Sequence, residues 1–361
     1  MGFDEEYDAS FFSAMLGCFT QIHSAALNFA IEYKIFDIIA KENGGQHVSA
    51  IEVASQLPNS VQHSDLAFRL DRVLRLLATH SYLTCSYGAN SGGDTTQRER
   101  LYGISPVGKF FVSANEKTSG SVAFISSFLS YPALVDAWLN FKISIIDKDT
   151  SDVFNKVHGM PLFQYGEKDP RWSKLFNKAM ENLSFIVMKK ILETYKGFEG
   201  ISTLVDVGGG TAQTLTMILS KYPSIKAINF DRPHVIQNAL PHPGIEYVGG
   251  DMFASIPKGD AIMLKNVCLN WSDENIIKIL RKCYEALPKH GKVIVLEVIM
   301  TEEVDESEEA KLIATIDNTM FVHGGIERTE KEYEFLSKQA GFSSTKLACH
   351  ALHQGIIEFY K

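Results

Sequence analysis

The sequence predicts an α/β protein in which a mostly parallel sheet follows a smaller, helix-rich N-terminal domain. From about residue 197 onward, short apolar strand patterns alternate with helical patterns, as a parallel sheet requires. A glycine-rich turn, Gly208–Gly210, lies between the first of these strands and its helix. The length of 361 residues exceeds the usual size of one domain, so two domains are expected.

The first helical region, residues 10 to 40, is apolar on nearly all sides. A helix with so little polar surface must be covered from several directions, and in a small domain we expect a second subunit to cover it. The apolar residues that form this pattern are Phe11, Phe12, Met15, Leu16, Phe19, Ile22, Ala25, Leu27, Ala30, Ile31, Ile35, Phe36 and Ile39.

The rest of the N-terminal domain has the pattern of a winged helix. Ser49 with Glu52 three residues later predicts a capping box at the start of a short helix. A longer amphipathic helix is expected from about Ser64, followed by strands at Tyr82–Cys85 and Arg100–Ile104. We therefore predict an all-α/winged-helix domain over residues 1–115.

Winged helices often bind DNA, but the charge of this domain opposes that function. Residues 1–110 contain eight Lys or Arg and twelve Asp or Glu, whereas a phosphate-binding surface is basic. Arg69, Arg72 and Arg75 share a helical stripe that Asp65 and Asp71 interrupt. We expect a dimerisation module and no nucleic-acid partner.

The overall composition is typical of a soluble intracellular protein. The formal net charge is −8, 45% of the residues are hydrophobic, and no apolar run reaches the ~18 residues of a membrane span. The acidic N-terminus has no signal-peptide pattern, and the five scattered cysteines predict reduced thiols. We expect a cytoplasmic protein without a membrane partner or a metal.

The C-terminal domain, residues 116–361, is predicted to begin with a helical connector over 116–196 that lines a substrate pocket. The expected strands are Thr203–Val207, Lys226–Phe230, Ile245–Val248, Ala261–Lys265, Lys292–Val298, Ser344–Cys349 and Gly355–Tyr360. Helices are expected at Thr211–Lys221 and Glu274–Leu287. The last two strands, joined by a short loop, predict an antiparallel addition to a parallel sheet.

The glycine turn indicates the kind of cofactor. Glycines after a first parallel strand let the backbone approach a ligand, and dinucleotide enzymes use a similar turn. Here Gln213 replaces the third glycine of the pyrophosphate-binding pattern, and Asp206 offers a carboxylate to a cationic amino group. A sulfonium amino acid has such a group and no phosphate.

Two further strand ends add to this cofactor site. Asp231 follows the glycines by about twenty residues, where a carboxylate can hold ribose hydroxyls. Asp251 can accept from an adenine amino group, and Met252 and Phe253 can flank the ring. The pattern predicts S-adenosyl-L-methionine as the cofactor.

Four motifs resemble the plant small-molecule O-methyltransferases, a family that includes caffeate O-methyltransferases. They are Leu204–Gly210, Gly249–Phe253, Trp271–Glu274 and Gly324–Thr329. The resemblance covers nearly the whole chain and implies a Rossmann-like methyltransferase sheet, an N-terminal dimerisation domain, a homodimer and no metal. It also implies that Gly208, Asp231, Asp251, Met252 and Lys265 contact the cofactor.

The sequence departs from this family at the position of the catalytic base. Members that methylate phenols have a histidine where this chain has Leu269, whereas the matching carboxylates Glu297 and Glu327 are present. A phenol with a pKa near 10 needs a base, and general-base help contributes about 10²–10⁴ in rate. An arylamine has a free lone pair at neutral pH and needs only alignment.

We therefore expect N-methylation of an arylamine, resembling the anthranilate-type N-methyltransferases, with Glu297 or Glu327 accepting from the amine. The substrate-binding candidates, assigned by the resemblance, are Tyr131, Trp172, Phe176, Met180, Asn270, Met320 and His323. One alternative is an O-methyltransferase for a phenolic hydroxyl that uses His323 as its base or an acidic substrate. Another is a catalytically silent partner in a dimer.

Overall fold

The computed structural model describes residues 3–41, 46–88, 98–113, 120–149 and 152–361. The chain divides into two compact units. The first comprises Met1–Tyr131 and Lys174–Leu183, and the second comprises Pro132–Ser173 and Ser184–Lys361. The sequence placed the boundary at residue 115, whereas the first unit continues to Tyr131 and includes part of the expected connector.

The first unit is a set of helices with a small antiparallel sheet. Its helices are α1 (Phe3–Cys18), α2 (Thr20–Glu32), α3 (Ile35–Lys41), α4 (Ala50–Ser55), α5 (Leu66–Thr79) and α6 (Ala123–Leu129). Its strands are β1 (Val48–Ser49), β2 (Leu83–Tyr87) and β3 (Arg100–Ile104), in the order β1-β3-β2. The expected winged-helix pattern is confirmed, and β1 is a strand that the sequence did not predict.

The core of this unit forms on one face of α5. Leu66, Leu70, Leu74 and Leu77 are buried and recur at helical spacing. The Ser49 side chain caps α4 in the expected capping box, accepting from the backbone N–H of Glu52 at 3.2 Å. Local sequence signals therefore fix both the start of α4 and the buried face of α5.

Helices α1 and α2 expose large apolar side chains. Phe12 is 61% exposed, Leu16 59% and Ile22 61%. In the described part of the chain no single helix is long and apolar enough to cross a membrane. The bent pair Glu6–Cys18 and Thr20–Glu32 reaches that length and apolarity only when the two helices are taken together. The exposed face is the one for which the sequence predicts a covering subunit.

The second unit contains the large sheet and the helices beside it. Its helices are α7 (Pro132–Leu139), α8 (Lys142–Ile146), α9 (Val153–His158), α10 (Leu162–Lys168), most of α11 (Pro170–Thr194), α12 (Gln213–Lys221), α13 (Pro233–Asn238), α14 (Asp273–Ala286), α15 (Glu308–Phe321) and α16 (Glu330–Ala340). Its strands are β4 (Thr203–Val207), β5 (Lys226–Asp231), β6 (Ile245–Gly249), β7 (Ala261–Lys265), β8 (Lys292–Met300), β9 (Arg328–Thr329), β10 (Ser344–Ala351) and β11 (Gln354–Tyr360).

The strand order of the large sheet is β10-β11-β8-β7-β4-β5-β6, with β9 paired to β8. Strands β4 to β8 pair in parallel, and β11 pairs antiparallel with both β8 and β10. The predicted α/β class and the antiparallel closing pair are confirmed. Because β5 and β7 flank β4 on opposite sides, the chain reverses direction across the sheet at β4, where such folds bind ligands.

Candidate active site

The turn after β4 is built so that only glycines fit. Gly208 has φ +75° and Gly210 has φ +56°, both in the left-handed region. A Cβ at Gly208 would lie 2.9 Å from Cγ2 of Val267, and one at Gly209 would lie 2.1 Å from Oδ1 of Asn229. The turn therefore leaves a backbone-lined cradle at the end of the strand.

Two side chains of β5 hold the peptide of Gly210. Asp231 Oδ2 accepts from the Gly210 N–H at 2.9 Å, and Asn229 Nδ2 donates to the Gly210 carbonyl at 2.9 Å. The sequence reasoning missed Asn229, although a polar residue inside the otherwise apolar run 227–230, which is buried, was an available signal. These two bonds fix the shape of the cradle before any ligand binds.

Asp206 is the buried carboxyl group of this edge. It is 2% exposed, and its Oδ2 atom has no hydrogen-bond partner among the residues that the structure describes. Burial raises the pKa of Asp206 to about 7, against the opposing effect of the Lys265 charge. A buried carboxylate oxygen without a partner is costly, so this atom fits a cationic group of a ligand.

The remaining cofactor candidates lie at the ends of β6 and β7. Asp251 follows β6, and its Oδ1 accepts from the Phe253 N–H at 2.9 Å. Lys265 ends β7, where burial lowers its pKa and Nζ donates to Oγ of Ser184 at 2.9 Å. Met252 and Phe253 are half-buried, and the Phe253 ring meets Trp271 edge to face at 4.9 Å between centroids.

These residues fit S-adenosyl-L-methionine. Asp206 offers an unpartnered carboxylate oxygen, the glycine turn offers open backbone, and Asp231 and Asp251 stand at the same edge of the sheet. Within the described ranges, no group of three or more His, Cys, Asp or Glu could hold a metal ion. The edge is suited to an organic cation with hydroxyl groups.

Next to this edge, Glu297 supports the turn that contains Leu269. Glu297 lies in β8 with no exposed surface, and its Oε1 accepts from the backbone N–H groups of Val267 and Cys268, both at 2.8 Å. Leu269 lies in the 3₁₀ turn after β7, Cys268–Asn270, and is 8% exposed. Burial raises the pKa of Glu297 to about 7.

Glu327 approaches the same turn from β9. The Ile326 N–H donates to the Leu269 carbonyl at 2.9 Å, and the Glu327 N–H donates to Asp317 Oδ1 at 3.1 Å. Strand β9 pairs with β8, with Arg328 opposite Ile299, and the Glu327 and Glu297 carboxyl groups lie close enough for their charges to interact. Burial, followed by the charges of Glu297 and Asp317, raises the pKa of Glu327 to about 8.

Arg328 holds these loops together. It is 2% exposed and donates to Asp273 Oδ1 at 2.9 Å, to the Trp271 carbonyl at 2.8 Å and to the Cys268 carbonyl at 3.2 Å. Its donors are therefore committed to the loops around Leu269, and the side chain is a structural clamp.

The sequence-predicted substrate residues fall in both units. Trp172, Asn270, Met320 and His323 belong to the second unit, and Tyr131, Phe176 and Met180 belong to the first. The Asn270 amide donates to the Asn266 and Val267 carbonyls at 3.3 and 3.5 Å. Met320 lies in the last turn of α15, and Trp172 is 2% exposed. In the first unit, Phe176 lies 5.3 Å from Phe128 between ring centroids.

His323 lies in an aromatic environment. Its ring meets Trp138 at 5.5 Å and Phe154 at 5.8 Å, in both cases edge to face. Burial lowers the pKa of His323 to about 4, so the imidazole is neutral at physiological pH. Its Nδ1 atom has no partner in the described ranges of the chain.

Sequence reasoning missed three further residues of this region. Tyr333 of α16 is buried and interacts electrostatically with Glu297 and Glu327. Asp317 and Ser184 are hydrogen-bonded to the Glu327 backbone and to the Lys265 side chain. No sequence pattern marks them, because each becomes relevant only through a contact that is distant along the chain.

Together, the doubly wound sheet and its acidic, glycine-lined edge define an S-adenosylmethionine-dependent methyltransferase. Comparison with known families makes this specific. Residues 138–343 match the model of the O-methyltransferase domain, and residues 17–114 match that of the O-methyltransferase dimerisation domain. The chain belongs to this O-methyltransferase family.

Similar proteins include plant enzymes and more distant structures. The caffeic acid 3-O-methyltransferase of Medicago sativa is 47% identical, covering 93% of this chain and 90% of that protein. The caffeic acid 3-O-methyltransferase of Prunus dulcis is 46% identical, covering 99% of this chain and 95% of that protein. Human N-acetylserotonin methyltransferase in complex with SAM superposes with a TM-score of 0.79 at 20% identity, covering 100% of this chain and 99% of that chain. CalO1 in its SAH-bound form superposes with a TM-score of 0.78 at 22% identity, covering 99% of each chain.

These comparisons bear on the expected acceptor atom. They support the methyltransferase class and the cofactor. They give no support to an anthranilate-type N-methyltransferase, and the relatives favour the O-methyl alternative. The preference for nitrogen rested on Leu269 alone, and a single residue at the base position does not identify the acceptor.

Proposed function

We propose that this protein transfers the methyl group of S-adenosylmethionine to a hydroxyl of a small aromatic molecule. One observation carries the proposal: the cofactor edge and the buried acid Glu297 lie on adjacent strands. Lys265 ends β7, Glu297 lies on β8 beside it, and their charges interact. A cationic ligand site and a group able to take up a proton therefore adjoin each other.

The cofactor, when bound, supplies an electrophilic methyl group on sulfur. Asp206 would neutralise its amino group, Asp231 would hold its ribose, and Asp251 with Met252 would hold its adenine. The acceptor oxygen must lie in line with the methyl carbon and sulfur, and holding it there is an effect of proximity and orientation. The hydroxyl proton must also leave, and Leu269 cannot accept it.

N-methylation of an arylamine is the second candidate, and the identity of Leu269 is the observation that favours it. A neutral amine attacks with a lone pair that is already free, so the absence of an imidazole costs little. The unpartnered Oε2 atoms of Glu297 and Glu327, as judged over the described residues, could accept an N–H hydrogen bond. This candidate remains the main rival.

The test is a product analysis. The purified protein is incubated with isotopically labelled S-adenosylmethionine and a matched panel of phenols, catechols, anthranilate and other arylamines. Tandem mass spectrometry then locates the label. Transfer to oxygen supports the proposal, whereas transfer to nitrogen with phenols untouched refutes it in favour of the rival. Asp231→Ala serves as the control, because it removes a cofactor-holding carboxylate and leaves the acid pair in place.

We also propose that the protein works as a homodimer. The match to the dimerisation domain and the exposed apolar side chains of α1 and α2 support this assembly. Side chains as large as Phe12, Leu16 and Ile22 are commonly buried at obligate interfaces.

A further inference from the structure

We propose that the Glu297–Glu327 pair replaces the missing imidazole, and that Oε2 of Glu327 is the atom that accepts the proton of the substrate hydroxyl. The inference rests on the proposed O-methyl transfer and assigns the proton acceptor within it. Glu297 then acts as a positioning residue, since it holds the Leu269 turn and keeps Glu327 basic.

The geometry directs both acids to one place. Glu297 uses Oε1 to bind two backbone N–H groups of the turn, so its orientation is fixed. Glu327 is held through its own N–H by Asp317 and through Ile326 by the Leu269 carbonyl. The Oε2 atom of each acid is buried without a hydrogen-bond partner among the residues described. Glu297 therefore keeps one oxygen, and Glu327 at least one, for a ligand or a proton.

The groups around Glu327 favour a proton rather than a second negative charge. Glu297 on β8 and Asp317 on α15 both repel its anion. Arg328 opposes them, but its guanidinium donates to three carbonyls and to Asp273. The Tyr333 hydroxyl on α16 is close enough to interact electrostatically with both acids. Two like charges in a buried site cannot both ionise easily, so the pair tends to share one proton.

On Glu297 itself, two cations and one thiol act from neighbouring elements. Lys265 of β7 and Arg328 favour its anion. Cys268 faces it from the 3₁₀ turn, and burial holds the pKa of that thiol well above its ordinary value, so it stays neutral. Glu297 is therefore the more acidic member of the pair, and Glu327 is the stronger base.

Base strength separates Glu327 from His323. A phenol has a pKa near 10. Burial raises the pKa of Glu327 to about 8 and lowers that of His323 to about 4, so proton transfer from a phenol is less unfavourable to Glu327 than to His323. General-base efficiency follows this difference, so the carboxylate is the more effective acceptor once it is ionised.

The step balances without any added reactant. A bond forms between the substrate oxygen and the methyl carbon while the carbon–sulfur bond breaks, and that electron pair stays on sulfur. The proton moves from the oxygen to Oε2 of Glu327 and later leaves to solvent. Only the ionised form of Glu327 can accept it, so kcat/KM rises with pH and levels off near the pKa of the free enzyme.

The experiment measures kcat/KM from pH 6 to 10 with a phenol that the product analysis shows to be methylated. The wild type is expected to gain about tenfold per pH unit and to level off near pH 8. Glu327→Gln is expected to lose about 10²–10⁴ in kcat/KM and the inflection near pH 8, with unchanged S-adenosylmethionine affinity by calorimetry. Glu327→Asp should keep the inflection. Glu285→Gln, on an exposed face of α14, is the matched control and should behave as wild type.

A second measurement does not depend on activity. Infrared difference spectroscopy should detect a protonated carboxyl band that titrates near pH 8 and disappears in Glu327→Gln. In the Glu327→Gln background, Leu269→His should restore part of the rate with an inflection near the ordinary histidine pKa.

Three results would overturn the inference: a profile that levels off only near pH 10, as substrate ionisation alone would give; an unimpaired Glu327→Gln; or loss of the inflection in His323→Gln instead. A protein that methylates nitrogen but no hydroxyl would refute the proposed function itself. The two failures are therefore distinguishable.

Discussion

Replacing the buried Arg328 of β9 by methionine should loosen the loops around Leu269. Methionine keeps much of the length and apolar volume of the side chain and removes its donors. The clamp joins the Cys268, Trp271 and Ile326 carbonyls to Asp273, so its loss affects the turn that both acids contact.

The loss of stability in Arg328→Met follows from the hydrogen bonds that each acceptor keeps without Arg328. The Cys268 carbonyl still accepts from the Trp271 N–H at 3.0 Å, and the bond to Ile326 is long at 3.4 Å, so these losses are small. The Trp271 carbonyl loses a 2.8 Å charged donor, which costs about 1–3 kcal/mol. Asp273 is 62% exposed and stays solvated, so the ion pair adds little. The expected total is about 2–4 kcal/mol.

Hydrogen exchange measures this locally. The amides of Trp271 and Ile326 should exchange about 30- to 700-fold faster in Arg328→Met, since 1.4 kcal/mol is a factor of ten. Arg281→Met is the control, because Arg281 is exposed and donates to one carbonyl, that of Gln339. Less than a threefold change at both amides would show that Arg328 is not the clamp.

Three further predictions concern the cofactor edge and the assembly. The Kd of the wild type for S-adenosylmethionine should fall by up to tenfold per pH unit as the pH rises to about 7, because only ionised Asp206 attracts a cation. In calorimetry, the Kd of Asp206→Asn should not depend on pH. Gly208→Ala should lose cofactor affinity and about 1–2 kcal/mol of stability in denaturant titrations, whereas Gly200→Ala, with similar φ but an open Cβ position, should lose only stability. Phe12→Asp should weaken the dimer by about 2–4 kcal/mol in light scattering, and Val304→Asp in an exposed loop should not. A flat wild-type profile, a Gly208 variant with full affinity, or an unchanged mass for Phe12→Asp would contradict the corresponding argument.

The strands of the large sheet could be predicted closely from the sequence. Thr203–Val207 and Ala261–Lys265 agree in every residue, since a short apolar run between turn residues has few alternatives. The positions of Asp206, Asp231 and Asp251 near one sheet edge also followed, because the carboxyl ends of parallel strands meet there. The domain boundary at residue 115 stays a prediction; the first compact unit continues to Tyr131 and includes Lys174–Leu183 through contacts distant along the chain.

Local sequence determined the elements, the cofactor edge and the absence of an imidazole at position 269. Only the tertiary structure decided where the two acids that we propose in its place lie. Glu297 and Glu327 are thirty residues apart in the chain, and the fold brings them close enough for their charges to interact. Their raised pKa values come from burial and mutual repulsion, which depend on distances in space and on excluded water. The sequence shows which ionisable residues the protein has, and the packed fold determines their protonation states.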